Sequence, residues 1–249
     1  MPAQRFDAID TLRGLAIVWM TAYHFCFDLN HYGWLRQDFY NDPFWTWQRT
    51  AIVSLFLFCA GLGQSVALAQ GQGHRRFAKR WAQVAGCALL VTAASWWMYP
   101  RSFIYFGVLH GIAVMLLVVR FTANWGPWLW LAGGLALAAL PLGAALHASG
   151  APVEFLNERA WNWLGLVDRK PRTEDYVPLV PWLGVMWWGM AAGQWLWRNA
   201  REPMARPLPA AAAPLAWLGR WSLSWYMLHQ PVLIGVLAAV TWAARRPGA

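Results

Sequence analysis

The sequence predicts an all-α protein, a polytopic membrane helix bundle of about seven transmembrane helices with a cytoplasmic N-terminus. Three observations predict it. Of 249 residues, 59% are hydrophobic and only 12% are charged, where a soluble chain normally carries about 25% charged residues. Apolar runs of about 20 residues, enough to cross a bilayer core, recur along the chain. Lysines and arginines, which give a net charge of +9, gather between those runs instead of covering helix faces, as cytoplasmic loops do. That distribution excludes a nucleic-acid partner and makes the lipid bilayer the first partner expected.

The spans fall at about 11–29, 48–70, 81–99, 103–121, 126–146, 178–198 and 222–243. They must be helices, because hydrocarbon offers backbone groups no partner. The first enters with Asp10 and Arg13 and is followed by no small-residue cleavage site, so it reads as a retained helix and not a signal peptide. Between the second and third lies "GQGHRRFAKRW", with Arg75, Arg76, Lys79 and Arg80 and no acid. Between the sixth and seventh lies "WRNAREPMARPLPAAAAP", with Arg198, Arg201 and Arg206 against Glu202. Placing both loops inside puts the N-terminus inside and the acid-containing loop 147–177 outside. Arg245 and Arg246 at the outer end run mildly against this parity. In the outer loop Trp161 and Trp163 suit either interfacial anchoring or stacking on a ligand. No internal repeat or second domain is visible, so residues 1–249 read as one domain.

Chemistry concentrates on the first helix, "TLRGLAIVWMTAYHFCFDLNHYG". Asp10 and Arg13 are three residues apart, Arg13 and His24 eleven, His24 and Asp28 four. At about 100° per residue these four groups share one stripe, with Arg13 about 16 Å from His24 along the axis. Ionisable groups within hydrocarbon cost about 2.5 kcal/mol or more apiece, so such a stripe normally faces a cavity or pathway. His24 with Asp28 suits a general base oriented by a carboxylate and able to take a proton from an amine or hydroxyl. Asp10 with Arg13 suits an ion pair at the helix end.

Further polar groups interrupt the other runs. Arg49 opens the second span, and His110 lies in "FGVLHGIAV". Ser222, Ser224, Tyr226, His229 and Gln230 lie in "GRWSLSWYMLHQPV". The predicted topology lets His110 approach His24 and His229 approach Arg13; helix-to-helix hydrogen bonding is the plainer alternative for each. Asp175 is either an acceptor contact or the cap of the helix that follows it. Cys26, Cys59 and Cys87 lie in apolar segments without CxxC spacing, which suits packing groups. No HExxH or paired-histidine spacing is present, so no metal is expected.

Five blocks, "FDAIDTLRGLAIVWMTAYHFCFDL", "FWTWQRTAIVSLFLFCAGLG", "FGVLHGIAVMLL", "DYVPLVPWLGV" and "GRWSLSWYMLHQPVLIG", together resemble the bacterial branch of the heparan-alpha-glucosaminide N-acetyltransferase catalytic-domain family. Arg13 and His24, with ten residues between them, are also similar to the Arg-x10-His motif of the type 3 membrane acyltransferases.

The resemblance implies an enzyme of the bacterial cytoplasmic (inner) membrane. It would transfer an acetyl group from cytoplasmic acetyl-CoA to an amine or hydroxyl of an outward-facing glycan or related acceptor. Arg13 then matches the motif arginine and serves the coenzyme, with Asp10, Arg75, Arg76 and His229 near the donor end. His24 matches the catalytic histidine. His31, Arg49, His110 and Asp175 are the candidate acceptor contacts. The lysosomal members have Asn at the position of His24 and their proposed histidine in the following loop, where this chain has His31. A non-enzymatic transporter, channel or assembly partner using the same stripe is the other class, and homo-oligomerisation is left open.

Overall fold

A computed structural model describes residues 5–245; Arg246 of the terminal charge pair lies outside them. Helices account for the regular structure: α1 (Asp7–His31), α2 (Pro43–Ala69), α3 (His74–Met98), α4 (Val108–Phe121), α5 (Trp128–Ala138), α6 (Leu142–Ala148), α7 (Leu179–Asn199), α8 (Arg201–Ala205), α9 (Ala213–Arg220) and α10 (Ser222–Ala244). Among the described residues the only β pairing is an isolated bridge between Phe106 and Tyr176.

Two helices, α2 with 27 residues and α10 with 23, are long and apolar enough to cross a bilayer. At 1.5 Å per residue even the shorter reaches past a hydrocarbon core of about 30 Å. The pair α5 and α6 makes a third candidate, bent by 46° at its break. The single span expected over 126–146 is thus broken. Pro141 sits at the break, immediately before α6, and has no N–H to continue the ladder.

The span expected from 103 starts instead at Val108. Residues 103–106 run extended because other groups take their backbone bonds: Ile104 N–H goes to Ser95 Oγ at 2.9 Å, and Ile104 C=O takes the Thr92 hydroxyl at 2.8 Å. Phe106 C=O accepts Val177 N–H at 3.1 Å. Conversely, α3 starts well before the apolar run at 81, since its charged first turns are helical too.

The chain divides into two compact units. A terminal unit holds residues 5–56 and 205–245; a central unit holds 57–204. In the terminal unit, α1 and α9 approach through small residues. A Cβ on Gly14 would strike the Leu215 carbonyl, and one on Gly219 would strike the Asp10 carbonyl. Ile17, Met20, Tyr23, Phe39 and Ile52 form the buried cluster beside this contact, with Trp45 stacked on Phe39 at 4.0 Å. The α1–α2 connection is tied to α10 by Trp34 Nε1–H to Thr241 Oγ1 at 2.9 Å and by Arg245 to the Tyr32 carbonyl at 2.9 Å.

In the central unit, α2 and α7 cross on Gly61, Gly189 and Gly193, each against backbone or side-chain atoms of the facing helix. Close approach through small residues is how helices pack where lipid supplies no hydrophobic drive. In the 147–177 loop, Trp163 packs 5.9 Å from Phe106 and donates to the Ala160 carbonyl at 2.8 Å, while Trp161 stays about half exposed beside Phe155.

Candidate active site

Helical spacing puts His24 and Asp28 on one face of α1, and that face meets His229 and Gln230 of α10 inside the terminal unit. The four side chains form a continuous hydrogen-bonded relay. Gln230 Nε2 donates to both oxygens of Asp28, at 2.8 and 3.1 Å. Its Oε1 therefore points the other way, to His24 Nδ1 at 2.7 Å. His24 Nδ1 also lies 3.2 Å from His229 Nε2. His229 Nδ1 faces the carbonyls of Tyr226 and Trp225, at 2.7 and 3.2 Å.

These partners fix the tautomers. Backbone carbonyls only accept, so neutral His229 carries its proton on Nδ1 and offers a lone pair at Nε2. Both neighbours of His24 Nδ1 are then acceptors, so His24 carries its proton on Nδ1 as well. Its Nε2, which has no hydrogen bond among the described residues, is left with the lone pair. Asp28 and His229 are buried, at 4% and 7% exposure, while His24 is half-buried. Pro231, inside α10 directly after this pair, deprives the Met227 carbonyl of its usual helical donor.

Two expectations change here. Asp28 orients His24 through Gln230 and not by a bond of its own. A carboxylate four residues away lies one turn up the same helix, and the Gln230 amide fills the gap between the two groups. His229 joins His24 and not Arg13, because the register of α10 against α1 brings residue 229 to the level of residue 24. Gln230 was visible as a polar group in an apolar run, but its pairing across 202 and 206 positions of sequence was not.

Asp10 and Arg13 form a second cluster, at the start of α1. Asp10 is 3% exposed and pairs with Arg13 at 3.1 Å, Arg5 at 3.7 Å and Arg220 at 3.8 Å. Arg220 also binds Asp7 at 2.6 Å. Three guanidiniums thus face two carboxylates, and Arg13 keeps Nε and Nη2 without a hydrogen bond among the described residues. Arg220 was missed in the sequence because it closes the short helix α9, outside any apolar run.

The remaining candidates have no hydrogen bond to either cluster among those of the described residues. His31 is exposed at the end of α1, its ring against Tyr32. Arg49 is half-buried in α2 and acts electrostatically on the Tyr23 hydroxyl. Arg75 and Arg76 are exposed in the first turn of α3. His110, in the central unit, has both ring nitrogens engaged. Nδ1 accepts Gly107 N–H at 3.3 Å, and Nε2 meets Thr92 Oγ1 at 2.9 Å. Those bonds make it a cap of α4, with both ring nitrogens occupied. Asp175 accepts Val108 N–H at 2.7 Å, so it too caps α4. Among the described residues no group of three or more His, Cys, Asp or Glu side chains has the geometry to hold a metal.

Residues 5–231 match the family model described as heparan-alpha-glucosaminide N-acetyltransferase, catalytic. The chain belongs to this family. The match takes in the relay and the Asp10–Arg13 cluster alike, and the family implies a membrane acetyltransferase-like function. No curated protein and no solved structure matches the chain.

Proposed function

We propose that this member of the heparan-alpha-glucosaminide N-acetyltransferase catalytic family acts in the bacterial cytoplasmic membrane. In this reading seven spans cross the bilayer, the N-terminus is cytoplasmic and the whole chain serves as one functional domain. An acetyl group passes from cytoplasmic acetyl-CoA to an amine or hydroxyl of an extracytoplasmic glycan or related acceptor. The observation that carries the proposal is the His24 lone pair at Nε2, set by the relay through Gln230, His229 and Asp28.

In direct transfer, the acceptor N–H or O–H gives its proton to His24 Nε2 as its lone pair bonds to the acetyl carbon. The C–S bond breaks, and the proton leaves with the thiolate as the free thiol. The positive charge that His24 carries in between strengthens its Nδ1–H bonds to Gln230 Oε1 and His229 Nε2. Asp28 is a positioning residue, holding the Gln230 amide in the orientation that accepts from His24. Arg13 and Arg220, with donors to spare near the proposed cytoplasmic end, serve the phosphates of the donor. Arg75 and Arg76 attract the same anion at longer range. His31 and Arg49 serve the acceptor side.

The test uses purified full-length protein in nanodiscs. His24→Ala should abolish acetyl transfer while leaving acetyl-CoA binding within about threefold, since uniform binding and chemistry are separable. Arg13→Ala should weaken acetyl-CoA binding. Absence of binding by the wild-type protein at millimolar acetyl-CoA would sink the donor assignment, and turnover retained in His24→Ala would remove His24 from the chemistry.

A further inference from the structure

The central unit contains a cavity of about 810 Å³ that no part of the proposed reaction uses. It opens where α2, α4 and α7 end and α3 begins. Its volume lies within the range of small-molecule sites, about 300–1,000 Å³. His74, Arg120 and Arg198 line it, with Ser65, Asn124 and Gln194; no Asp or Glu does. Leu68, Phe77, Leu117, Phe121 and Trp197 supply apolar wall.

Two of its polar groups are unmatched. Ser65 is 3% exposed and its hydroxyl has no partner. Arg120 donates through Nη2 to the Gln72 carbonyl at 3.1 Å and lies over the Phe77 ring at 4.4 Å, but its buried Nη1 has no partner. An orphaned buried donor costs about 1–3 kcal/mol. Arg120 and Arg198 lie in the last turns of α4 and α7, where a cation complements the helix dipole. That accounts for their sign, but not for the orphaned Nη1 and hydroxyl, nor for the absence of any acid. At its mouth the exposed Phe121, 84% accessible, stands beside exposed Arg198 and His74, the pairing of apolar and cationic groups that suits the interfacial level of a bilayer.

We infer that this cavity is a binding site for the phosphodiester headgroup of an anionic phospholipid. The phosphate sits between Arg120, Arg198 and the Ser65 hydroxyl, and the acyl chains leave past Phe121. Basic pockets between membrane helices recognise such headgroups on the cytoplasmic side, and the first turns of α3 carry Arg75, Arg76, Lys79 and Arg80 without an acid. No residue of the relay or of the Asp10–Arg13 cluster lines the cavity, so the inference stands apart from the acetyl-transfer reading.

The test is native mass spectrometry of the full-length protein with dioctanoyl phosphatidylglycerol against dioctanoyl phosphatidylcholine, whose chains are equal. The protein should retain one phosphatidylglycerol with a preference of about tenfold or more over the neutral lipid. Arg198→Gln, at an exposed position, should reduce that preference about fivefold. Ser65→Ala should weaken retention yet raise the melting temperature of the lipid-free protein, because it removes an orphan. Equal retention of both lipids, or retention indifferent to both variants, would overturn the site. ADP or inorganic phosphate held there more tightly than phosphatidylglycerol would overturn the lipid as its occupant.

Discussion

At the residue scale, Gln230 bears the most weight for its size. Among the described residues it is the one side chain hydrogen-bonded to both Asp28 and His24, its amide accepting from the ring with the oxygen while donating to the carboxylate with the nitrogen. Gln230→Leu keeps the volume and removes both bonds. Buried Asp28 is left with its carboxylate unmatched, and the His24 proton is held by His229 alone. Turnover should fall on the order of 10²-fold, the range assigned to a misplaced general base, with the KM for donor little changed. Measuring kcat and KM separately decides the point, since a general loss of fold would move donor binding as well. Gln230→Glu makes a sharper probe: its carboxylate still accepts from His24 but repels Asp28, so Asp28→Asn in the same chain should restore part of what Gln230→Glu loses.

At the element scale, helix starts and crossings set where the chemistry sits. Gly219 lets α9 lie on the Asp10 carbonyl, and the next residue, Arg220, reaches Asp7 and Asp10. Gly219→Val would force the helices apart, costing about 1–3 kcal/mol by overpacking, and would carry Arg220 away from both acids. Thermal unfolding and acetyl-CoA binding should therefore fall together. Asp175→Ala removes the cap of α4 and should cost about 1 kcal/mol without altering donor affinity.

Between α1 and α2, Asp38 accepts the Asn41 side-chain amide and the backbone N–H groups of Asn41 and Tyr40, at 2.9–3.0 Å. Foremost the Asn41 side-chain bond, and then these backbone bonds, hold its carboxyl below the ordinary carboxylate range. With the folded value depressed, the turn's contribution is full above the unfolded value and is lost as pH falls through the folded one. Amide exchange at Tyr40 and Asn41, corrected for its intrinsic pH dependence, should lose protection in that window and not at higher pH.

The sequence made these elements visible unevenly. Apolar runs marked α2, α7 and α10 to within about five residues, because a run of that length is too long for a strand and reads as one helix. The start of α4 was hidden, because Phe103–Phe106 is as apolar as a helix yet finds its partners in Ser95, Thr92 and Val177. His24 and Asp28 were legible because i and i+4 share a face. Gln230 and Arg220 were not, because their partners are fixed by helix register.

At the scale of the whole molecule, the direction of transfer depends on which side each cluster faces. The acid-free loop 70–80 and the Asp10–Arg13–Arg220 cluster belong inside if the positive-inside bias rules, and the loop 147–177 then belongs outside. Reversal of that arrangement would put the proposed donor site in the wrong compartment for acetyl-CoA, whatever the geometry of His24. The native cysteines are buried or half-buried, so a chain with Cys26, Cys59 and Cys87 replaced by alanine should tolerate one new exposed thiol. Arg75→Cys and Asp168→Cys report the two loops: Arg75 is exposed at the start of α3, and Asp168 carries a side chain about one-third exposed. In intact cells a membrane-impermeant maleimide should label Asp168→Cys and should reach Arg75→Cys only after permeabilisation. The opposite pattern would reverse the orientation, and labelling of both from outside would mean an even number of crossings between them, against the odd number that seven spans require.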